Sequence, residues 1–139
     1  MKTVLFACIH NAGRSQMAAA WFNVLASPAE AVAVSAGTQP ASQVHPLVLE
    51  AMREVGMDLS AVRPQFLSEE MAKRSDLLIT MGCGEACPVV PGLAREDWPL
   101  ADPKGQSLES VRGIRDEIQR RVQDLLARQR IGQRPALQR

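Results

Sequence analysis

Tyrosine is absent from this 139-residue chain, and aromatic residues of all kinds make up 4% of it. A pocket walled by aromatic rings, of the kind that grips aryl ligands, has little material here. A charge excess of either sign is also missing: 16 Lys and Arg stand against 15 Asp and Glu, a formal net charge of +1. No general affinity for nucleic acid or for a membrane surface follows from that balance. No apolar run approaches the roughly 20 residues of a membrane span. Met1-Lys2-Thr3 leads straight into an apolar segment without a cleavage site, so a signal peptide is not expected and the cytoplasm is the expected compartment. Cysteine is sparse, with three residues. In a reducing compartment these do not make a static disulfide framework, and metal binding or redox catalysis is the better expectation. What remains is a globular composition, 46% hydrophobic and 22% charged, in one domain long enough to bury a core.

Along the chain, apolar strand-like runs alternate with amphipathic ones. Thr3–Ala7 reads as a buried strand, and Arg14–Ala26 as a helix with Met17, Trp21, Val24 and Leu25 on one side. Val32–Ser35 reads as a short strand closed by Ala36-Gly37. Pro46–Val55 reads as a helix with proline in its first turn and Gly56 past its end. Ser68 is a good cap for a short helix through Lys73. Leu77–Met81 reads as a strand, and Trp98 falls in a segment that reads as a short last strand. Leu108, Val111, Ile118, Val122, Leu125 and Leu126 mark one face of a long closing helix. This alternation predicts an α/β domain, a four-stranded parallel sheet with helices on both faces. The domain is placed at residues 1–130, with a polar, flexible tail at 131–139 that carries Gly132 and Pro135.

The most informative stretch is Cys8-Ile9-His10-Asn11-Ala12-Gly13-Arg14-Ser15. It puts a cysteine at a strand end, an arginine at a helix start and a small-residue loop between them. Such a loop can wrap a tetrahedral oxyanion, because its backbone N–H groups and the helix N-terminus favour negative charge. Ile9, His10, Asn11, Ala12, Gly13 and Arg14 are the expected oxyanion-binding residues, with Arg14 able to clamp two oxygens. The same field favours thiolate over thiol at Cys8 and makes it a candidate nucleophile. Asn11 suits a left-handed turn in a tight loop. Ser15 can donate to the Cys8 sulfur or simply start the helix. His10 reads as a solvent-facing loop residue, and His45, before Pro46, as a turn or capping residue. The alternative for Cys8 itself is an inert strand-end cysteine beside a surface arginine.

The other cysteines follow the strand at Leu77–Met81, in Gly82-Cys83-Gly84-Glu85-Ala86-Cys87-Pro88. In a parallel sheet Cys8 and Cys83 should share the carboxyl edge and face one site. Residues four apart on a regular helix have Cβ atoms about 5–6 Å apart, whereas a disulfide needs about 3.5–4.5 Å. Gly82, Gly84 and Pro88 supply the loosened turn that a Cys83–Cys87 bridge requires. Two other readings stay open: the pair as small hydrophobes, or Cys8, His10, Cys83 and Cys87 as a zinc site. That spacing is not a usual zinc-finger one and leaves Arg14-Ser15 unexplained. Asp102, in Asp102-Pro103-Lys104-Gly105, is the loop carboxylate best placed to protonate a departing oxygen. Its alternative is an ordinary Asp-Pro turn.

At these residues the chain resembles the thioredoxin-coupled arsenate reductases, which share the fold of the low-molecular-weight protein tyrosine phosphatases. The resemblance covers nearly the whole chain. It rests on Cys8-x5-Arg14-Ser15 with Gln16-Met17-Ala18, Ser35-Ala36-Gly37-Thr38, Val55-Gly56, Thr80-Met81-Gly82-Cys83, Cys87-Pro88 and Trp98-x3-Asp102-Pro103. It implies that Cys8 attacks arsenate held by the loop and Arg14 while Asp102 assists loss of an oxygen. Cys83 then attacks Cys8 and releases arsenite, and Cys87 attacks Cys83 to carry the disulfide outward to thioredoxin. Ser15 is implied as the partner of the Cys8 thiolate. A glutaredoxin or a low-molecular-weight thiol is an alternative reductant. Neither nucleic acid nor membrane is an expected partner. Some members hold potassium with Asn11, Ser35 and two acids. Ala19 and Gln65 stand at the acid positions here, so no tightly bound cofactor is expected and a potassium site is put in doubt. The Cys83–Cys87 spacing is also shorter than in those members. A tyrosine phosphatase is the runner-up, disfavoured by the scarcity of aromatic residues, and a zinc-binding structural protein is the second alternative.

Overall fold

The computed structural model describes residues 1–82 and 90–133. Four parallel strands, β1 (Lys2–Cys8), β2 (Ala31–Gly37), β3 (Leu77–Thr80) and β4 (Ala94–Asp97), lie in the order β2-β1-β3-β4. The helices are α1 (Arg14–Leu25), α2 (Pro46–Glu54), α3 (Glu69–Lys73) and α4 (Leu108–Arg128). The expected α/β architecture is what the chain adopts.

Period-2 alternation along β1 divides the core. Val4, Phe6 and Cys8 face the larger cluster, formed with Met17, Phe22, Met52, Ile118 and Leu125 from α1, α2 and α4. Leu5 and Ala7 face the smaller one, with Leu78, Leu67 and Ala72 of α3. Phe6 meets Phe22 edge-on at 6.1 Å between centroids and Trp98 at 5.6 Å. With helices on both faces, β1 and β3 are almost wholly buried, which is why their sequences are continuous apolar runs. Ser68 caps α3 by accepting from the Met71 N–H at 3.1 Å, and Ser107 caps α4 by accepting from Ser110 at 3.1 Å.

Two expectations are corrected. The last strand is Ala94–Asp97 and ends before Trp98, whose N–H donates to Thr80 O at 2.8 Å while its ring enters the core. An edge strand pairs on one side only, so Ala-Arg-Glu-Asp carries no apolar alternation to reveal it. The start of the expected tail is docked. Ile131 is buried, the Ser27 N–H donates to Gly132 O at 2.7 Å, and Gln133 bridges to Ala26. Burying the Ile131 side chain is the physical reason, so packing continues past residue 130. No helix among the described residues is long and apolar enough to cross a membrane.

Glu54, at the end of α2, ties that helix to α4 through Arg112 at 2.9 Å and Arg115 at 2.9 Å. The Arg112 hydrogen bond pulls its carboxyl from the ordinary 4.5 to about 2, against partial burial, and Arg115 adds to the pull. A carboxyl depressed on folding contributes stability that is complete above its unfolded value and lost as pH falls toward its folded one. Glu54→Gln should therefore lower the urea midpoint at neutral pH. The gap to wild type should narrow as pH falls from about 4.5 to about 2. A gap independent of pH would show that the ion pairs do not link these helices.

Candidate active site

β1 ends at Cys8 and α1 begins at Arg14, with residues 9–13 between them. Every loop carbonyl from Cys8 to Gly13 accepts a hydrogen bond from the surrounding scaffold. Cys8 O accepts from the Thr38 N–H at 3.3 Å, Ile9 O from Gln39 at 2.8 Å and His10 O from Ala41 at 2.9 Å. Ala12 O accepts from His45 at 2.9 Å and Gly13 O from Met17 at 3.0 Å. Asn11 O accepts from Gln16 Nε2 at 3.1 Å. A trans peptide sets each carbonyl opposite the following N–H. With the carbonyls tied outward, the N–H groups turn into the loop. Among the described residues nothing accepts from the N–H groups of Ile9 through Gly13. Gly13 caps α1 without a side-chain bond, and no acid stands in the first turn. The helix terminus is thus left to an anion.

Beneath this ring lies Cys8, 3% exposed, with Sγ 2.8 Å from Ser15 Oγ. Asn11 adopts the expected left-handed conformation, φ 50°, and is fully buried. Its Oδ1 accepts from Gln16 Nε2 at 3.0 Å and from the Gln65 N–H at 3.0 Å, which fixes which end of the amide is oxygen. Its Nδ2 then donates to Ser15 Oγ at 2.8 Å. The Ser15 hydroxyl, accepting from Asn11, keeps its own proton to donate to the Cys8 sulfur when that sulfur is a thiolate. The serine is a member of a directed chain from Asn11 to Cys8, not a bare helix-start residue.

Arg14 reaches across the site. Its Nη1 donates to Leu100 O at 3.0 Å, and Nη2 lies 3.9 Å from Asp102 Oδ2. The guanidinium is nearly buried, and among the described residues only Leu100 O accepts a hydrogen bond from its five donors. Asp102 is half-exposed, and its Oδ1 accepts from the Lys104 N–H at 3.0 Å. The Asp-Pro turn and the approach to Arg14 therefore coexist in one residue. Gly82, φ +88°, allows the guanidinium to pass, since a Cβ there would collide with Arg14 Nη1. A Cβ on Gly13 would sit 2.5 Å from Pro103 Cγ, so the loop after β4 closes directly over the anion loop.

His10 is half-buried, with Nδ1 3.1 Å from Gln39 O. His45 holds the N-cap position of α2 without a side-chain cap bond and faces the site. Burial holds its imidazole below the ordinary 6.5, partly offset by the Asp102 carboxylate and reinforced by Lys104 and His10. Sequence reasoning missed His45 at the site, and it also missed Gln16 and the Leu100 carbonyl. Their signals depend on contacts across the fold, although Gln16 lies one turn from Asn11 and that spacing was readable. Cys83 and Cys87 lie outside the described residues, as two of the four ligands of the zinc alternative. Among the described residues no group of three or more His, Cys, Asp or Glu is placed to hold a metal.

The missing side chain at Gly82 leaves the room that the Arg14 guanidinium occupies beside the anion loop. Gly82→Ala should weaken binding of inorganic phosphate about tenfold or more, the equivalent of one charged hydrogen bond. Calorimetric titration measures this, and unchanged affinity would show that the guanidinium does not hold the anion.

Residues 3–135 match the low molecular weight phosphotyrosine protein phosphatase family. A glutaredoxin arsenate reductase of Synechocystis sp. is 38% identical over 131 residues, which cover 92% of this chain and 98% of that one. The solved structure of a thioredoxin-dependent arsenate reductase from Corynebacterium glutamicum superposes with a TM-score of 0.77 at 40% identity, covering 91% of this chain and 61% of that one. An arsenate reductase solved in its oxidized state gives a TM-score of 0.80 at 38% identity, covering 92% of this chain and 98% of that one. Matched over nearly its full length and carrying the anion loop in folded form, the chain belongs to the low molecular weight phosphotyrosine protein phosphatase family, in its arsenate reductase branch.

Proposed function

We propose that this chain is an enzyme that reduces arsenate to arsenite. The observation that carries the reading is the ring of inward N–H groups over Cys8, closed by Arg14. It suits a tetrahedral oxyanion whose central atom sits above a sulfur nucleophile. The Ser15 hydroxyl, aimed at that sulfur by Asn11, supports the thiolate as the attacking form. The attack forms a sulfur–arsenic bond and breaks an arsenic–oxygen bond. Asp102 supplies the proton with which the oxygen leaves as water.

A thiolate on Cys83 next attacks Cys8 Sγ. The sulfur–sulfur bond forms, the sulfur–arsenic bond breaks, and its electron pair stays on arsenic, which departs as arsenite. Cys87 attacks Cys83 in turn and frees Cys8, leaving a Cys83–Cys87 disulfide. Two electrons and two protons from a dithiol restore the chain. Gly82, the chain neighbour of Cys83, lies against the Arg14 guanidinium, which supports a second thiol working at this edge of the sheet. Thioredoxin is the proposed reductant, as the name of the Corynebacterium relative has it. The Synechocystis name makes glutaredoxin the competing donor. The relay would work in the cytoplasm, where such dithiols are kept reduced.

Hydrolysis of phosphate esters is the second reading, favoured by the family match and by a loop that fits phosphate equally well. It leaves Cys83 and Cys87 without employment. Fast hydrolysis of phosphotyrosine peptides, undiminished in Cys83→Ser/Cys87→Ser, would make it the leading reading.

The order of the relay is open to direct test. Wild type given arsenate without reductant should release about one arsenite per chain and end with Cys83 joined to Cys87. Cys87→Ser should complete one reduction and stop as a Cys8–Cys83 disulfide. Cys83→Ser should bind arsenate and stall before any bridge forms. Mass mapping of the disulfides reads all three outcomes. Normal multiple turnover by Cys87→Ser with thioredoxin would end the three-cysteine scheme. Arsenate-dependent NADPH oxidation, assayed with each reducing system, identifies the donor.

A further inference from the structure

Three oxygen acceptors converge behind the anion loop: Asn11 O, Asn11 Oδ1 and Ser35 O. Ser35 and the two glutamines that bond to these oxygens, Gln16 and Gln65, line a groove of about 290 Å³ together with Ala19 and Asn23. In the resembling proteins that hold potassium, the ion uses the residues at Asn11 and Ser35 together with two acids. The oxygens in this chain are already taken by N–H groups. Gln16 Nε2 donates to Asn11 O at 3.1 Å and to Asn11 Oδ1 at 3.0 Å. The Gln65 N–H donates to Asn11 Oδ1 at 3.0 Å, and Gln65 Nε2 donates to Ser35 O at 2.8 Å. Asn23, the other amide of the groove, is bonded at both ends to the backbone of Ala33, at 2.9 and 2.8 Å. Among the described residues no carboxylate lines the groove.

This set does not fit a monovalent cation. A hard cation takes several oxygens and gains most from charged ones. Here it would have to displace amide donors from buried carbonyls, with no negative charge in return. An amide N–H carries its partial positive charge to the very points where such an ion would touch. Of the pair Gln16 and Gln65, we infer that the Gln65 amide, at a position where the potassium-holding proteins carry an acid, stands in for the ion while Gln16 holds the Asn11 amide, so that the anion loop is held without potassium. Gln16, 4% exposed, is the inner member of the pair. It is a positioning residue: it fixes the Asn11 amide, Asn11 fixes the Ser15 hydroxyl, and Ser15 meets Cys8. Gln65, at the mouth of the groove, holds the 65–67 segment against β2, where the Gly37 N–H donates to Gln65 O at 2.9 Å and the Leu67 N–H donates to Gly37 O at 2.9 Å.

The inference rests on the proposed function only in taking Cys8 as the reacting thiol, and its test needs no arsenate. Two readouts serve: the thermal midpoint, and the rate of Cys8 alkylation by iodoacetamide in the Cys83→Ser/Cys87→Ser background. Each is measured in potassium chloride and in sodium chloride at equal concentration. The unsubstituted site should give the same values in both salts. Ala19→Glu with Gln65→Asp removes one donor and supplies two acids. Its midpoint should rise, and its alkylation quicken, in potassium relative to sodium. Gln16→Ala should slow alkylation about fivefold or more in either salt, as expected for a buried acceptor left without its donor. A potassium-specific rise at the unsubstituted site overturns the inference. So does a folded Ala19→Glu/Gln65→Asp chain indifferent to the salt, or a folded Gln16→Ala chain alkylated at the original rate. A chain that obeys these expectations yet reduces no arsenate would refute the proposed function alone.

Discussion

The buried side chain of Asn11 is the joint between scaffold and chemistry. Its backbone is left-handed and its amide is engaged at both ends. A left-handed conformation costs a residue with a side chain about 1–2 kcal/mol, least for Asn and Asp. A buried amide left unpaired costs about as much again. Those costs are offset by Gln16, Ser15 and the Gln65 backbone together, which favours the arrangement seen here. The rest of the site follows from it. The Ser15 hydroxyl is held 2.8 Å from both the Asn11 amide and the Cys8 sulfur, so it can donate to a thiolate there.

The mould for the loop is the chain after β2. Thr38, Gln39, Ala41 and His45 hold four of the six loop carbonyls outward, and the N–H groups turn inward as a consequence. The parallel sheet makes this possible. β1 sits between β2 and β3, so its carboxyl end is flanked by the exits of two other strands. Arg14 then crosses from α1 to the Leu100 carbonyl, passing over Gly82. Among the described residues its only carboxylate is Asp102 at 3.9 Å, partly in solvent. A nearly buried guanidinium with so loose a counter-ion is better satisfied by a doubly charged oxyanion placed between it and the loop. Stored electrostatic imbalance of this kind is what prepares a site for its ligand.

Much of this was legible in the residues, because the signals were local. The apolar run of β1, the loop of small residues and the Arg14 helix start needed only strand and helix chemistry to read. The Ser68 cap, Pro46 in the first turn of α2 and the apolar face of α4 have the same character. β4 was misplaced because a parallel edge strand of Ala94, Arg95, Glu96 and Asp97 shows no apolar period, while the adjacent Trp98 draws the eye as core. Ile131 reads as tail because one isoleucine after a polar turn shows no apolar period. Its burial comes from joining the larger core cluster, a product of tertiary packing.

The sequence by itself determined the order of elements, the parallel sheet and the pairing of a strand-end cysteine with a helix-start arginine. Each depends on periodicity or on spacings of a few residues, where the backbone leaves little choice. Only the tertiary structure decided where the loop carbonyls find their donors, which way the Asn11 amide points, and that Gln65 and Gln16 converge on it. It also set His45 and Asp102 at the rim of one site. Those contacts span tens of residues and are made by the packing of finished elements. No local pattern encodes them, because a hydrogen bond from Gln65 to Asn11 exists only once β2 has docked beside β1.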